Sequence, residues 1–430
     1  MYFKELMSVR SLVIISPIFF LTIRGWTNLV VLIVFIASLF YLFRKNDSQK
    51  TCKINRWRRI ISLTLVGPIL AVGMGQMLRG EIHMPNFDAP LRIALCAPVF
   101  LAISLGWFSG EGREPITFLW VKYSFPLTVL WTFVYTPSWK TNWQTHGITT
   151  YFVDVLSFGH LTLLFALLSF AALTFFWSRI GWLSRIASFL SVSVGFYLSV
   201  KSGSRTGWLN VPIFLIVWAT LFSVPVYGRV KTFIILLLIL AAVGVIFYTS
   251  PKFTGKVIDA INEISSYHWA SKSTEGSADI RISFYRMALF YFANNPLGGW
   301  GDLGWMELMN SPEIAQYASE YARSFPVNGF HNEILTSAVR SGVWGLSSSL
   351  SLFFFPMLWA IKIVKSNTHI DFRIIGFFIV FLMTHLFVAG MTTEVTNLTF
   401  LASFVGLTIS VTLGESVNQA VKICSVTNNQ

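Results

Sequence analysis

Charge is scarce in this chain. Of its 430 residues 12% are Asp, Glu, Lys or Arg, against 54% hydrophobic residues and a mean hydropathy of +0.63. Soluble domains carry about 25% charged residues, so the composition excludes a soluble fold and implies an integral membrane protein. Cysteine is scarcer still. Cys52, Cys96 and Cys424 are far apart and form no CxxC or Cys/His cluster, which excludes a disulfide framework and a zinc site of the usual spacing. No HExxH is present, and the glycines near residue 300 neither follow a strand pattern nor precede a GKS/T, so zinc-peptidase and P-loop chemistries are excluded as well. Acidic residues are outnumbered, giving a net charge of +13. The basic residues scatter between apolar runs and cover no soluble face, so nucleic acid is not an expected partner and the membrane surface accounts for the excess.

What is abundant is apolar sequence in runs near the ~20 residues that a helix needs to cross the hydrocarbon core. Runs at 9–23, 26–43, 60–78, 91–107, 117–136, 156–176, 184–200, 208–226, 232–248, 342–361, 374–390 and 399–414 predict an all-α polytopic membrane protein of about twelve spans. No small-residue cleavage site follows the first run, which is read as a retained span and not as a signal peptide. The loop after the second run carries Arg44, Lys45, Lys50, Lys53, Arg56, Arg58 and Arg59, and the positive-inside rule then puts both termini in the cytoplasm.

One connection is long. Residues 249–341 form the only sizeable extramembrane piece, on the outer face, dividing the chain into 1–248 (spans 1–9), 249–341 (an outer loop) and 342–430 (spans 10–12 and a cytoplasmic tail). Within the loop, "SPEIAQYASEYARSF" predicts a helix with Ser311 as cap, Pro312 at the first position and Glu313 at the positive end of the dipole. Ile314, Tyr317, Tyr321 and Phe325 would form an aromatic stripe, lying either on the membrane interface or against the protein's own spans.

Basic residues on the outer side draw attention, because an arginine pressed against apolar surface at a membrane boundary is costly and tends to be paired or functional. Arg205 sits in the tight loop "KSGSRTGW" and Arg281 opens "RISFYRMALFYFANNPLGGWG". Arg286 is five residues further on, so on a helix the two point about 140° apart and at most one faces a given site. His331 and Asn332 precede the tenth span. Eleven residues separate His331 from Gly342, close to three helical turns, which predicts that both lie on one face with Gly342 about 16 Å deeper and Gly345 continuing it. Glycines so placed would admit another helix or a lipid chain beneath the histidine. A boundary histidine is also a common hydrogen-bonded structural residue. His83, His146, His160, His268, His369 and His385 show no comparable context.

The segment His331, Asn332, nine residues, Gly342, two residues, Gly345 resembles the signature of the bacterial O-antigen ligases, in the larger group that holds O-antigen polymerases and protein O-oligosaccharyltransferases. "SGSRTG" is similar to the family's Ser-Arg-small loop, and the stretch from Arg281 to "NPLGGWG" to its arginine-to-Asn-Pro-Leu-Gly segment, with Tyr285 standing where a tryptophan is usual. The resemblance implies a lipid-linked polysaccharide glycosyltransferase of the bacterial inner membrane with a periplasmic active site. His331 would be catalytic, Arg205 and Arg281 (or Arg286) would bind the donor pyrophosphate, and Asn332, Gly342 and Gly345 would support the motif. Donor and acceptor would be O-antigen on undecaprenyl pyrophosphate and the lipid A-core, with membrane lipids around both. No cofactor or metal is expected, since Asp259, Glu263, Glu275, Asp279, Asp302, Glu307, Glu313, Glu320 and Glu333 of the loop form no DxD pair and arginine forks can hold a phosphate instead. A polymerase or protein O-oligosaccharyltransferase, and a polytopic transporter, are the other readings; a transporter would show two related halves and charged mid-membrane sites.

Overall fold

The chain was described from a computed structural model covering residues 2–44, 54–110, 112–136, 147–249, 251–265, 269, 277–302, 304–324, 329–366 and 369–427. Lys45, Lys50, Cys52, Lys53, His146, His268, Glu275 and Phe325 lie outside them. Every regular element among the described residues is a helix. This is the solution that bilayers impose, because a helix satisfies its backbone groups within the segment.

Among the described residues nine helices are long and apolar enough to cross a membrane: Trp26–Arg44, Arg56–Arg79, Met84–Ser104, Val155–Phe175, Trp182–Ser202, Asn210–Tyr227, Glu333–Ser366, Ile370–Gly390 and Thr399–Lys422. Each coincides with one of the twelve apolar runs. The remaining runs fall on a 14-residue helix, Tyr2–Ile15, too short to cross alone; on a helical stretch from Ile116 to Tyr135 interrupted by a π turn at Trp120–Ser124; and on Arg229–Thr249. Val155–Phe175, Ile370–Gly390 and Thr399–Lys422 are buried over most of their length and form the centre of the bundle; Trp26–Arg44 and Trp182–Ser202 are largely exposed and form its rim. Close approach depends on small residues: a Cβ on Gly195 would meet Thr162 O at 2.9 Å, and Ser169 bonds Ser191 at 3.0 Å between the same two helices. Lys122, an exceptional interior charge, pairs with Glu114 and sits 4.8 Å from the Phe176 ring.

The long loop has its own core. Phe284, Met287, Ala288 and Tyr291 from the helix Ser277–Asn294 pack with Trp305, Ile314, Ala318, Ala322, Phe330 and Val339. The stripe expected on one helix is split between Pro312–Ala315 and Glu320–Ser324; Ile314 is fully buried, Tyr317 packs on this core, and Tyr321 alone of the three is exposed. Ile314 and Tyr317 face inward because the loop is large enough to bury apolar surface by itself. Ser311 occupies the cap position without a side-chain cap bond, Pro312 taking the first turn.

The largest departure from expectation concerns Gly342. The Glu333–Ser366 helix starts nine residues earlier than the predicted span, inside what was read as loop, and it is broken at Ser341 (φ −133°, ψ 18°) and Gly342 (φ 61°, ψ −145°). The turn Asn295–Gly301 fills the break: Val343 N–H donates to Pro296 O (2.7 Å), Trp300 N–H to Val339 O (2.8 Å) and Gly301 N–H to Arg340 O (3.1 Å). Arg79 donates to Gly298 O of the turn and, at 2.9 Å, to Arg340 O, a carbonyl that the break releases. A Cβ on Gly342 would collide with Pro296 O, and one on Gly345 with Ser337 O of its own helix. His331, Gly342 and Gly345 therefore do not share one straight helical face, and the glycines admit a backbone turn, not a helix or a lipid chain.

Gly342→Ala is expected to cost about 1–3 kcal/mol for the left-handed backbone alone, before the collision is added. Gly244→Ala, in a helix with nothing within 4 Å of the new Cβ, is expected to be neutral or stabilising. Thermal unfolding in detergent checks both; equal melting temperatures for the two variants would show that the break carries no such demand.

Candidate functional site

Asn332 begins the Glu333–Ser366 helix. Its side-chain oxygen accepts from Leu335 N–H (3.0 Å) and its carbonyl from Thr336 N–H (2.8 Å), the usual use of asparagine at a helix N-terminus. His331, just outside that cap, has φ +48°, the only non-glycine residue at positive φ among the described residues. Histidine tolerates this region better than most side chains, yet the conformation is strained by roughly 1–3 kcal/mol and must be held by its surroundings.

Several contacts hold it. The imidazole stacks on Phe284 (ring centroids 5.6 Å apart, planes at 28°). On one side, Phe330 N–H donates to Thr336 Oγ1 (2.9 Å), which in turn bonds Glu394 Oε1 (3.2 Å). On the other, the buried Glu333 carboxylate accepts from Val395 N–H (2.8 Å), Thr396 N–H (2.9 Å), Asn397 Nδ2 (2.9 Å) and the Thr396 hydroxyl. The connection between the last two long helices is thereby fastened to the residues that follow His331. Tyr285 adds a third tie, its hydroxyl donating to Met391 O and hydrogen-bonding the Asn332 side chain.

Two cations converge here. The Ser277–Asn294 helix carries Arg281 one turn before Phe284 and Tyr285, and Arg281 lies within electrostatic reach of Arg205, Tyr285 and His331. Arg205 sits in a turn that ends the helix Trp182–Ser202 at Gly203 (φ 79°); the turn rests on the N-terminal end of Val155–Phe175, where Ser204 Oγ donates to Leu156 O (3.4 Å) and a Cβ on Gly207 would press on His160. Arg286 turns away: its guanidinium lies 4.0 Å from the Tyr317 ring and 5.3 Å from the Trp269 ring, and Nη1 donates to Trp269 O (3.1 Å). The structure thus brings Arg205, Arg281, His331 and Asn332 together and leaves Arg286, Gly342 and Gly345 to structural contacts.

Burial, then the Arg281 charge, hold the His331 imidazole below its usual range, with Asp154 opposing them. Burial likewise lowers Arg281 and raises Tyr285. Glu394 is pushed up to about 7 by burial and the neighbouring Glu333 charge, Arg340 opposing. In the sequence Glu333 stands out only as one loop acid, and neither Glu394 nor Asp154, the N-cap of Val155–Phe175 (Ser157 N–H to Oδ1, 2.8 Å), is distinguished. An acid directly after His331–Asn332 and the polar run Thr392–Asn397 between apolar spans were the available signals. Two histidines without a distinguishing sequence context form a pair: His160 and His385, both fully buried, meet at 3.3 Å on adjacent helices beneath the Arg205 turn. Among the described residues no group of three or more His, Cys, Asp or Glu could hold a metal ion.

Since Glu394 binds its proton more tightly in the folded protein than an ordinary carboxyl near 4.5, its contribution to stability is complete below that value and is lost as pH rises through about 7. Glu394→Gln mimics the protonated form, so its melting temperature should match wild type near pH 4.5 and exceed it increasingly towards pH 8. Parallel melting curves across that range would overturn the assignment.

Residues 190–350, which hold the Arg205 turn, Arg281, the Asn295–Gly301 turn, His331 and the broken helix, match the family model described as "O-Antigen ligase". An uncharacterized protein of Haemophilus influenzae is 24% identical over 216 residues, 50% of this chain and 52% of that protein, so the chain spans about half the length of the curated relative it matches. The matched stretch covers Arg205, Arg281, Arg286 and His331.

Proposed function

We propose that the protein is an O-antigen ligase of the bacterial inner membrane, with both termini cytoplasmic and the outer loop in the periplasm. It would move O-antigen polysaccharide from undecaprenyl pyrophosphate to a sugar hydroxyl of the lipid A-core. The observation that carries the reading is the meeting of two arginines with a histidine held in a strained conformation and below its usual pKa. Perturbed groups gathered in this way are a mark of a site.

In the proposed reaction the acceptor hydroxyl oxygen attacks the anomeric carbon, the bond from that carbon to the pyrophosphate oxygen breaks, and the hydroxyl proton passes to the neutral His331 imidazole. Arg205 and Arg281 receive the negative charge that develops on the leaving pyrophosphate. Guanidinium forks bind phosphate oxygens in pairs, each charge-assisted bond contributing about 1.5–3 kcal/mol, so no metal is required. A single displacement inverts the anomeric centre. Tyr285 and Asn332 keep the arginine helix in register with the histidine.

Reconstitution with purified lipid-linked polysaccharide and lipid A-core tests the reaction; full loss of transfer in EDTA, restored by Mg²⁺ or Mn²⁺, would sink the metal-independent form. His331→Ala is expected to lower transfer by about 10²–10⁴-fold with donor binding intact, and His331→Gln, which cannot take a proton, to do the same. Substantial turnover by the glutamine variant would reduce the histidine to a positioning role. With the Arg281 charge lowering its pKa, the acid limb of the pH–rate profile should lie below 6.5, and Arg281→Gln should move it upward.

Arg281→Lys and Arg205→Lys keep the charge and lose the fork, and each should weaken donor use while the protein still inserts. Arg286→Lys, which disturbs the Tyr317 and Trp269 contacts, should leave donor KM near wild type. Damage confined to the Arg286 variant would mean that the wrong arginine has been assigned to the pyrophosphate.

A further inference from the structure

Three cavities lie end to end between the helices Ile54–Arg79 and Glu333–Ser366. The outermost, about 180 Å³, is polar and is walled by Asn86, Asp88, Asp302, Arg340, Asn397 and Thr399, among others. A neck of about 40 Å³ shares Val72, Arg340, Ser341 and Asn397 with it, and Ala71 and Ser348 with a third cavity of about 700 Å³. This last space is apolar and opens sideways between Leu70 and Met74 on one helix and Trp344, Phe354 and Phe355 on the other. The crevice is separate from the Arg205–Arg281 pair, but its wall is joined to the candidate site: Asn397 Nδ2 donates to Glu333, two residues from His331.

We infer that this crevice binds the acceptor, a glycolipid with its sugar in the polar pocket and an acyl chain in the apolar groove. From Trp344 to Phe355 the groove runs about 17 Å at 1.5 Å per residue, roughly half of the ~30 Å hydrocarbon core. It therefore fits a chain reaching through one leaflet, on the side where Arg79 and Glu333 end their helices. The polar end suits sugar and not pyrophosphate, because its charges are already balanced. Arg340 pairs with Asp302, Arg79 with Glu81 (2.6 Å) and Asp88 with Arg92 (2.8 Å). Sugar hydroxyls both donate and accept, as the carboxylates, amides and guanidinium groups of this wall require of a ligand. In the neck, the buried Ser348 hydroxyl has no hydrogen-bond partner, an unsatisfied group where a polar link between headgroup and chain would pass. The site rests on the proposed transfer, since that reaction needs a glycolipid acceptor.

Photolabelling of the protein in nanodiscs tests the site without turnover. Lipid A-core and a phospholipid, each carrying a diazirine on an acyl chain, are the probes. The lipid A-core probe should label peptides spanning 67–74 and 344–355, with unlabelled lipid A-core competing, and Ser351→Trp and Met74→Trp, which fill the groove from its open side, should abolish most of that labelling. In the kinetic arm the same variants should raise acceptor KM about tenfold, about 1.4 kcal/mol of binding, with kcat and donor KM near wild type. Equal labelling of these peptides by the phospholipid, uncompeted by lipid A-core, would overturn the inference, as would labelling concentrated on other helices. If the protein uses another acceptor, the kinetic arm fails while competed labelling persists, which separates failure of the transfer reading from failure of the site.

Discussion

The docking of the Asn295–Gly301 turn into the broken helix at Ser341–Gly342 is the constraint from which the rest of the candidate site follows. Three backbone hydrogen bonds join the turn to residues 339, 340 and 343, and Arg79 closes the joint from a third helix. The turn braces itself as well, Asn295 Nδ2 donating to Gly299 O (2.6 Å) and the Trp300 indole to Tyr291 O (2.8 Å). Because the turn directly follows Ser277–Asn294, the joint fixes that helix against the segment that begins with His331. Arg281 and the imidazole thus acquire a common frame although fifty residues of chain separate them.

A second constraint is electrostatic. Burying like charges near one another is unfavourable unless something holds them. Here Arg281 is within reach of both Arg205 and His331; Arg205 depresses the proton affinity of Arg281, and Arg281 that of His331. The backbone joint, the Phe284 stack and the Glu333 clamp supply rigidity that such a cluster requires. Glu394, pushed up to about 7 beside Glu333, shows the opposite case: two acids share a buried space, and one of them holds its proton.

The face on which the helix Ser277–Asn294 presents its cations illustrates how far local periodicity reaches. A 3.6-residue repeat separates Arg281 from Arg286 by about 140°, and the helix obeys it. Which of the two meets His331 is not a property of the repeat. It depends on Phe284, Met287, Ala288 and Tyr291 burying against the loop's own core, which turns Arg286 toward Tyr317 and Trp269. The inward stripe of Ile314 and Tyr317 has the same cause, a loop large enough to possess an interior.

The sequence by itself determined that this is a helical membrane protein and where nine long apolar helices of the described residues run, and it singled out Arg205, Arg281, His331 and Asn332 for attention. Composition and helical periodicity act over one or two turns, and those conclusions need nothing longer. Only the tertiary structure decided that Gly342 marks a break and not a continuing helix face, that Glu333 and Glu394 fasten the Met391–Asn397 connection to the histidine, that His160 meets His385, and that a crevice runs beside Glu333–Ser366. Each of these depends on partners far away in the chain: Pro296 and Leu297 for Gly342, Val395 and Thr396 for Glu333, residue 385 for residue 160. A glycine at positive φ and a buried carboxylate are stabilised by what packs against them, and no local pattern encodes that neighbour.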